Sequence, residues 1–250
     1  MGEGFGDMKA QATVIMIALA TAAFPLEGNA QVQLHRCRMI DQPGSYRLAA
    51  NLTAEGTCLV VNADGVTIDL NGFAIVGNGS GTGILSVPKG AGIPPARIAV
   101  SNGDISNFAQ AINLSGTVER LRVTSNASGI LVGIGIVQNN IVQFNSAMGI
   151  QIGDGIVSDN LLIRNGTAIL VQEAGVIRNN QALGNKIGID VTGRGSTLNG
   201  NIADGNDQIG IRVTCPSNLI NNTAVGNPNN LVLRGTSCRD EGNLFSQPEP

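Results

Sequence analysis

A register of apolar pairs about twenty residues apart constrains this chain more than any other feature. Ile130/Val132, Ile150/Ile152, Ile169/Val171, Ile189/Val191, Ile211/Val213 and Leu231/Leu233 recur at steps of 20, 19, 20, 22 and 20. Side chains alternate between the two faces of a strand, so both members of a pair point one way and the residue between them points the other. The residues between are Leu131, Gln151, Leu170, Asp190, Arg212 and Val232, which share no chemistry, as solvent-facing positions permit. Self-similarity at a fixed period of this length marks a stacked repeat array.

Two asparagine series keep the same step. Asn140, Asn160, Asn180, Asn201 and Asn222 form one, and Asn145, Asn165, Asn185, Asn206 and Asn227 follow five residues behind. Asn102 with Asn107 fits the pattern earlier in the chain, and Asn126 fits it with Leu121 in place of its partner. Between the two series Val142, Leu162, Ala182, Ala203 and Ala224 share a position that should point inward. An asparagine at a coil corner tolerates left-handed backbone angles and can hydrogen-bond the asparagine stacked on it, so Asn ladders are expected.

Leucine-rich repeats use similar periods but need a helical rhythm. Here the units hold short β-rich runs such as 149–155 and 160–166, separated by Gly, Asn and Asp. The expected fold is therefore all-β, a right-handed parallel β-helix. At about twenty residues per coil, residues 59–238 make about nine coils, a rod of about 43 Å at about 4.8 Å per rung. Residues 31–58 are expected to form an entry segment or cap and 239–250 a tail that covers the far end. The Gly-, Ser- and Pro-rich stretch from Gly77 to Pro95 reads as a projecting loop.

Residues 1–30 read as a signal peptide: Lys9 precedes an apolar run from Ala12 to Phe24, followed by small residues at Gly28-Asn29-Ala30. The run is shorter than the roughly 17 to 25 residues a membrane span needs, and no later segment supplies one. A secreted or periplasmic location follows. Four cysteines agree with export. Cys37 and Cys58 lie 21 apart and Cys215 and Cys238 lie 23 apart, each about one coil, and neighbouring coils stack within disulfide reach. The expected bridges are Cys37–Cys58 and Cys215–Cys238. A metal site at His35 and Cys37 is the competing reading, without a C-x-x-C pair or a second histidine to support it. A net charge of −3 gives no basic footprint for nucleic acid.

The run VTIDLNGFAIVG at 66–77, with the downstream N-x-Φ-x-x-N repeats (Φ apolar), resembles the pectate-lyase-like right-handed β-helix proteins, including the group around the periplasmic copper-enzyme maturation factor NosD. The resemblance covers most of residues 44–238 and implies the fold. It implies little about activity, because that superfamily holds lyases, hydrolases, epimerases and non-catalytic surface proteins. A copper role would favour Met, Cys or His ligands, and Met39 and Met148 stand without a cluster.

Carbohydrate chemistry is the enzymatic option that the resemblance raises. A glycosidase needs two carboxylates flanking the bond, yet Asp154, Asp159, Asp190, Asp204 and Asp207 fall at different phases of the coil. The nearest set for a calcium-assisted lyase is Asp190, with Arg212 one coil on and Arg194 in a turn. The plainer reading of Asp190 and Arg212 is a cross-strand ion pair on an exposed face, worth about 0.2 to 1 kcal/mol. Glycan binding without turnover usually employs Trp or Tyr, of which the chain has none and one. Leu131, Leu170 and Val232 share an outward position but need no function to explain them. No cofactor or metal motif is present. The expectation is an exported structural or binding protein, its partner a polysaccharide or a surface or periplasmic protein, ahead of a polysaccharide lyase or hydrolase.

Overall fold

The computed structural model describes residues 31–88, 92 and 95–246. The expected signal peptide and the closing Pro248-Glu249-Pro250 lie outside them. The described chain is a parallel β-solenoid of about ten turns, with strands and no helix.

Three parallel ladders run its length. The first climbs from Val32–Leu34 through Gly44–Leu48 and Val66–Asp69 to Gly175–Arg178, Thr197–Asn199, Asn218–Ile220 and Arg239–Glu241. The second carries Leu52–Thr53, Ala74–Val76, Ile141–Gln143, Leu161–Ile163, Gln181–Leu183, Ile202–Asp204, Thr223–Val225 and Leu244–Phe245. The third holds the repeated apolar pairs, with Leu131, Gln151, Leu170, Asp190, Arg212 and Val232 stacked in register on its outer side. Rungs thus form outside 59–238 as well.

The stretch 77–95 contains a strand. Thr82–Ser86 pairs on both sides, with Ile84 fully buried between Leu59 and Ile112. Its Gly and Ser content masked a short run with a single buried anchor.

The inward positions pack as the alternation requires. Val142, Leu162, Ala182, Ala203 and Ala224 are fully buried, as are the apolar pairs from Ile150/Ile152 to Ile211/Val213. The last pair is the exception, Leu231 half-buried and Leu233 44% exposed, because their ladder ends there among the described residues. At the corner between the third and first ladders the backbones approach too closely for a side chain. A Cβ on Gly135 would lie 1.9 Å from the Gly116 carbonyl oxygen, so only glycine fits.

Both Asn ladders form. The backbone N–H and Nδ2 of Asn160 donate to Oδ1 of Asn180 at 3.1 and 2.9 Å, and Nδ2 also donates to the Val137 carbonyl at 2.9 Å. This motif repeats from Asn140 to Asn243 in one column. In the other it repeats from Asn126 to Asn227, whose contacts pass to Asn230. The amides meet backbone groups that a corner takes out of the strand pairing, where an unpaired buried group would cost about 1 to 3 kcal/mol.

The left-handed angles expected at the ladder asparagines sit one residue earlier. Asn139, Asp159, Asn179, Gly200, Asn221 and Gly242 have positive φ in one column, and Ser125, Phe144, Arg164, Gly184, Gly205 and Gly226 in the other. This residue makes the bend, and the asparagine after it turns its amide inward. Asn102 and Asn107 belong to these bend columns, at φ of 63° and 60°, so Gly103 and Phe108 occupy the ladder positions in that coil.

The disulfides Cys37–Cys58 and Cys215–Cys238 join adjacent coils, with Cα separations of 4.5 and 4.9 Å. Cys37 is thereby removed as a thiolate ligand beside His35. The two bridges fit an oxidising compartment. No helix among the described residues is long and apolar enough to cross a membrane.

Candidate functional site

Asp190 and Arg212 face outward at the same position of successive rungs of the third ladder. Stacking brings the guanidinium flat against the carboxylate. Nε donates to Oδ1 at 2.9 Å, and Nη2 pairs with Oδ2, closing a bidentate fork. Arg234, one coil further, places Nη1 3.9 Å from Oδ1. Asp190 is 6% exposed, so the pair is more covered than an outward position suggests. The hydrogen bond that Arg212 donates to Asp190 raises the Arg212 pKa above the usual arginine value, against desolvation, which lowers it. Arg194 is exposed in the turn before Thr197–Asn199, and no hydrogen bond or ion pair joins it to Asp190 or Arg212. The three residues singled out from the sequence therefore do not form one cluster. What forms is one carboxylate held by two guanidiniums, with its acceptor sites directed at cations.

A second feature was not singled out from the sequence. Beside the Asn126–Asn227 column, at the corner between the second and third ladders, an open groove of about 610 Å³ is lined by residues 144–146, 164–166, 184, 186 and 207. Buried Asn145 and Asn165, locked in the ladder, form its floor. The bend residues Phe144 and Arg164 form one wall, with the Arg164 guanidinium 5.9 Å from the Phe144 ring centroid. Ser146, Gly166, Lys186 and Asp207 take successive positions of the column that follows the ladder asparagines. Gly166 and Gly184 leave the groove open between the two columns.

The signal for this groove was in the sequence, in the residue before each ladder asparagine. Read up the column it is Ser, Phe, Arg, Gly, Gly, Gly at 125, 144, 164, 184, 205 and 226. Its meaning depended on knowing that this position has φ near +55°, where glycine is the unstrained choice.

A smaller groove near the first Asn column, about 320 Å³, includes Asp104, Arg120 and Arg122. Its cations are paired: Arg120 with Glu119 and Asn102, and Arg122 with Asp104 at 3.6 Å. Among the described residues, neither Arg164 nor Lys186 has an acidic partner at salt-bridge distance. No three His, Cys, Asp or Glu side chains among the described residues come together as a metal-binding group.

No family model matches the chain, and no curated protein and no solved structure matches it.

Proposed function

We propose that this chain is an exported, non-catalytic solenoid that acts as a rigid structural or binding element, with a polysaccharide or a surface or periplasmic protein as its partner. The observation that carries this reading is the state of Asp190. A general acid or base must exchange a proton with substrate, and a metal-binding carboxylate must present free lone pairs. Asp190 instead spends both oxygens on Arg212, with Arg234 beside it. The right-handed sense, the pectate-lyase-like placement, the cleaved signal and the periplasmic or secreted location belong to the same reading. They are supported by the run at 66–77, the apolar segment at 12–24 and the two disulfides.

The test is turnover. Purified protein is incubated with acidic and neutral polysaccharides, with and without calcium, and unsaturated products are followed by absorbance and new reducing ends chemically. No product is expected from any polymer. Product that disappears in Asp190→Ala would overturn the reading in favour of a polysaccharide lyase or hydrolase.

A further inference from the structure

We propose that the outer face of the second ladder is a self-association surface, on which a second copy of this chain packs side by side and antiparallel, about a twofold axis between the Leu161–Ile163 and Gln181–Leu183 rungs. The inference goes beyond the reading above and stands whether or not the chain turns over a polymer.

The first observation is what the ladder turns outward. Each three-residue rung buries its middle side chain and presents the two that flank it. Over five successive rungs the outward positions include Ile141, Leu161, Ile163, Leu183, Ile202 and Val225. Ile141 is 39% and Ile202 40% exposed, and the other four are half-buried. In the two rungs before them the same positions carry Asp104, Ser106, Arg122 and Thr124. Aliphatic side chains on consecutive rungs form a patch, unlike the scattered apolar residues of an ordinary surface, and such patches mark contact sites.

The second observation is shape, and it selects the occupant. Along the edge of this face the bend column runs from Ser125 through Phe144 and Arg164 to Gly184, Gly205 and Gly226, all at the left-handed angle. They differ in bulk. Arg164 lies over the exposed Phe144 ring, 5.9 Å from its centroid, and the two make a ridge beside Ser125. The three glycines beyond leave a recess of the same number of rungs. A twofold axis midway between Arg164 and Gly184 sets Arg164 against Gly184, Phe144 against Gly205 and Ser125 against Gly226 of the second copy. Ridge then meets recess on both sides, and one surface is complementary to itself, as an isologous contact requires.

The same axis matches the chemistry of the face. Ile141 meets Ile202, Ile163 meets Leu183, and Gln143 meets Asp204, an amide donor against a carboxylate. Leu161 against Gln181 is the mixed pairing at the centre. Arg164 lies one rung, about 4.8 Å, from the row that faces Asp204 of the second copy. Neither Arg164 nor Asp204 has an ion-pair partner among the described residues. At strand and rung spacings the contact covers about 400 Å² of sheet per copy, about half of a standard interface, so association is reversible and in the micromolar range.

The full chain is followed by sedimentation velocity across the micromolar range, and a monomer–dimer equilibrium is expected. Ile141→Lys with Ile202→Lys should raise the dissociation constant more than about tenfold, because an unpaired ammonium resists burial. Leu131→Lys with Leu170→Lys, on the outer side of the third ladder, should leave it within about twofold. Register is read with a short bismaleimide, since the native cysteines are held in bridges. Ile141→Cys mixed with Ile202→Cys should cross-link, because facing positions of packed sheets lie about 10 Å apart. Ile141→Cys alone should not, because its two copies lie three rungs off, about 17 Å apart. A monomer throughout, association that the lysine pair on the second ladder does not weaken, or equal cross-linking of Ile141→Cys alone would overturn the proposal. Where the lysine variants do not fold, cross-linking of the mixture decides by itself. Turnover of a polymer, which would overturn the non-catalytic reading, leaves each of these outcomes unchanged.

Discussion

The coils before residue 108 and those after residue 126 share three ladders and a continuous core, yet adjacent turns cohere differently. In the later coils two columns of buried asparagines link each turn to the next, and the steps between bonded asparagines stay at 19 to 21 residues. In the earlier coils Phe108 fills the position that Asn126 takes one turn later, and Gly77 and Gly83 make room for its ring. Polar corner contacts there are less buried, as in Asn71 to the Leu48 carbonyl at 3.2 Å and Asn102 to Asp69 at 3.1 Å. The step lengths vary accordingly: paired residues Thr67 and Ala99 are 32 apart, and the next step, Ala99 to Thr117, is 18. Hydrogen bonds are directional and short, so a ladder admits no insertion at its corners. Apolar contact is non-directional, and it tolerates the longer step.

That contrast can be broken from either side. The largest effect is expected from Phe108→Ala, which empties a fully buried site and should cost about 3 to 5 kcal/mol in chemical denaturation. A loss under 1 kcal/mol would show that the early coils do not depend on this ring. Asn180→Ala strips the acceptor from the Asn160 N–H and Nδ2 and the donor from the Val157 carbonyl. It should cost about 2 to 4 kcal/mol by the same measurement, against under 0.5 kcal/mol for the bend residue Asn102→Gly.

Asp190→Ala leaves Arg212 half-buried beside Arg234, and should cost about 1 to 2 kcal/mol after allowance for partial exposure. The raised pKa of Arg212 contributes stability that is fully present below the usual arginine value and lost only as pH rises through the higher folded one. Denaturation midpoints of the native protein should therefore show no contribution from this arginine between pH 6 and pH 9, roughly the neutral range in which its charge is fixed. Leu121→Asn is the sharper probe of the boundary. Its N–H already donates to Asn140 Oδ1 at 3.0 Å, so the new amide would extend a ladder by one rung. It should change stability by less than about 1.5 kcal/mol, where Leu198→Asn in the apolar interior should cost at least about 3 kcal/mol. A gain is expected from Arg164→Gly, about 1 kcal/mol, read as a rise in Tm.

Much of this architecture was legible in the residues. The paired apolar positions fixed which side chains face inward because alternation in a strand has a period of two, and the coil-length cysteine spacings matched the bridges that form. The strand at Thr82–Ser86 was hidden because glycine and serine neighbours carry no alternation, and only pairing to Leu59 and Ile112 makes it a rung. Asp190 and Arg212 could be placed one above the other from spacing alone. Their burial and the approach of Arg234 could not, since both depend on how side chains on three coils lie across one another.

The sequence by itself determined the repeat, the inward face and the existence of Asn columns, because each follows from local periodicity multiplied over many coils. Only the tertiary structure decided which residue of each corner takes the left-handed angle. It moved that role from the asparagine to the residue before it, because an amide that must reach the next coil cannot also make the bend. That one-residue shift turns Phe144 and Arg164 from unremarkable loop positions into the strained wall of a groove. Both hold the left-handed angle that Gly184, Gly205 and Gly226 take in the coils beyond, which only the folded corner reveals.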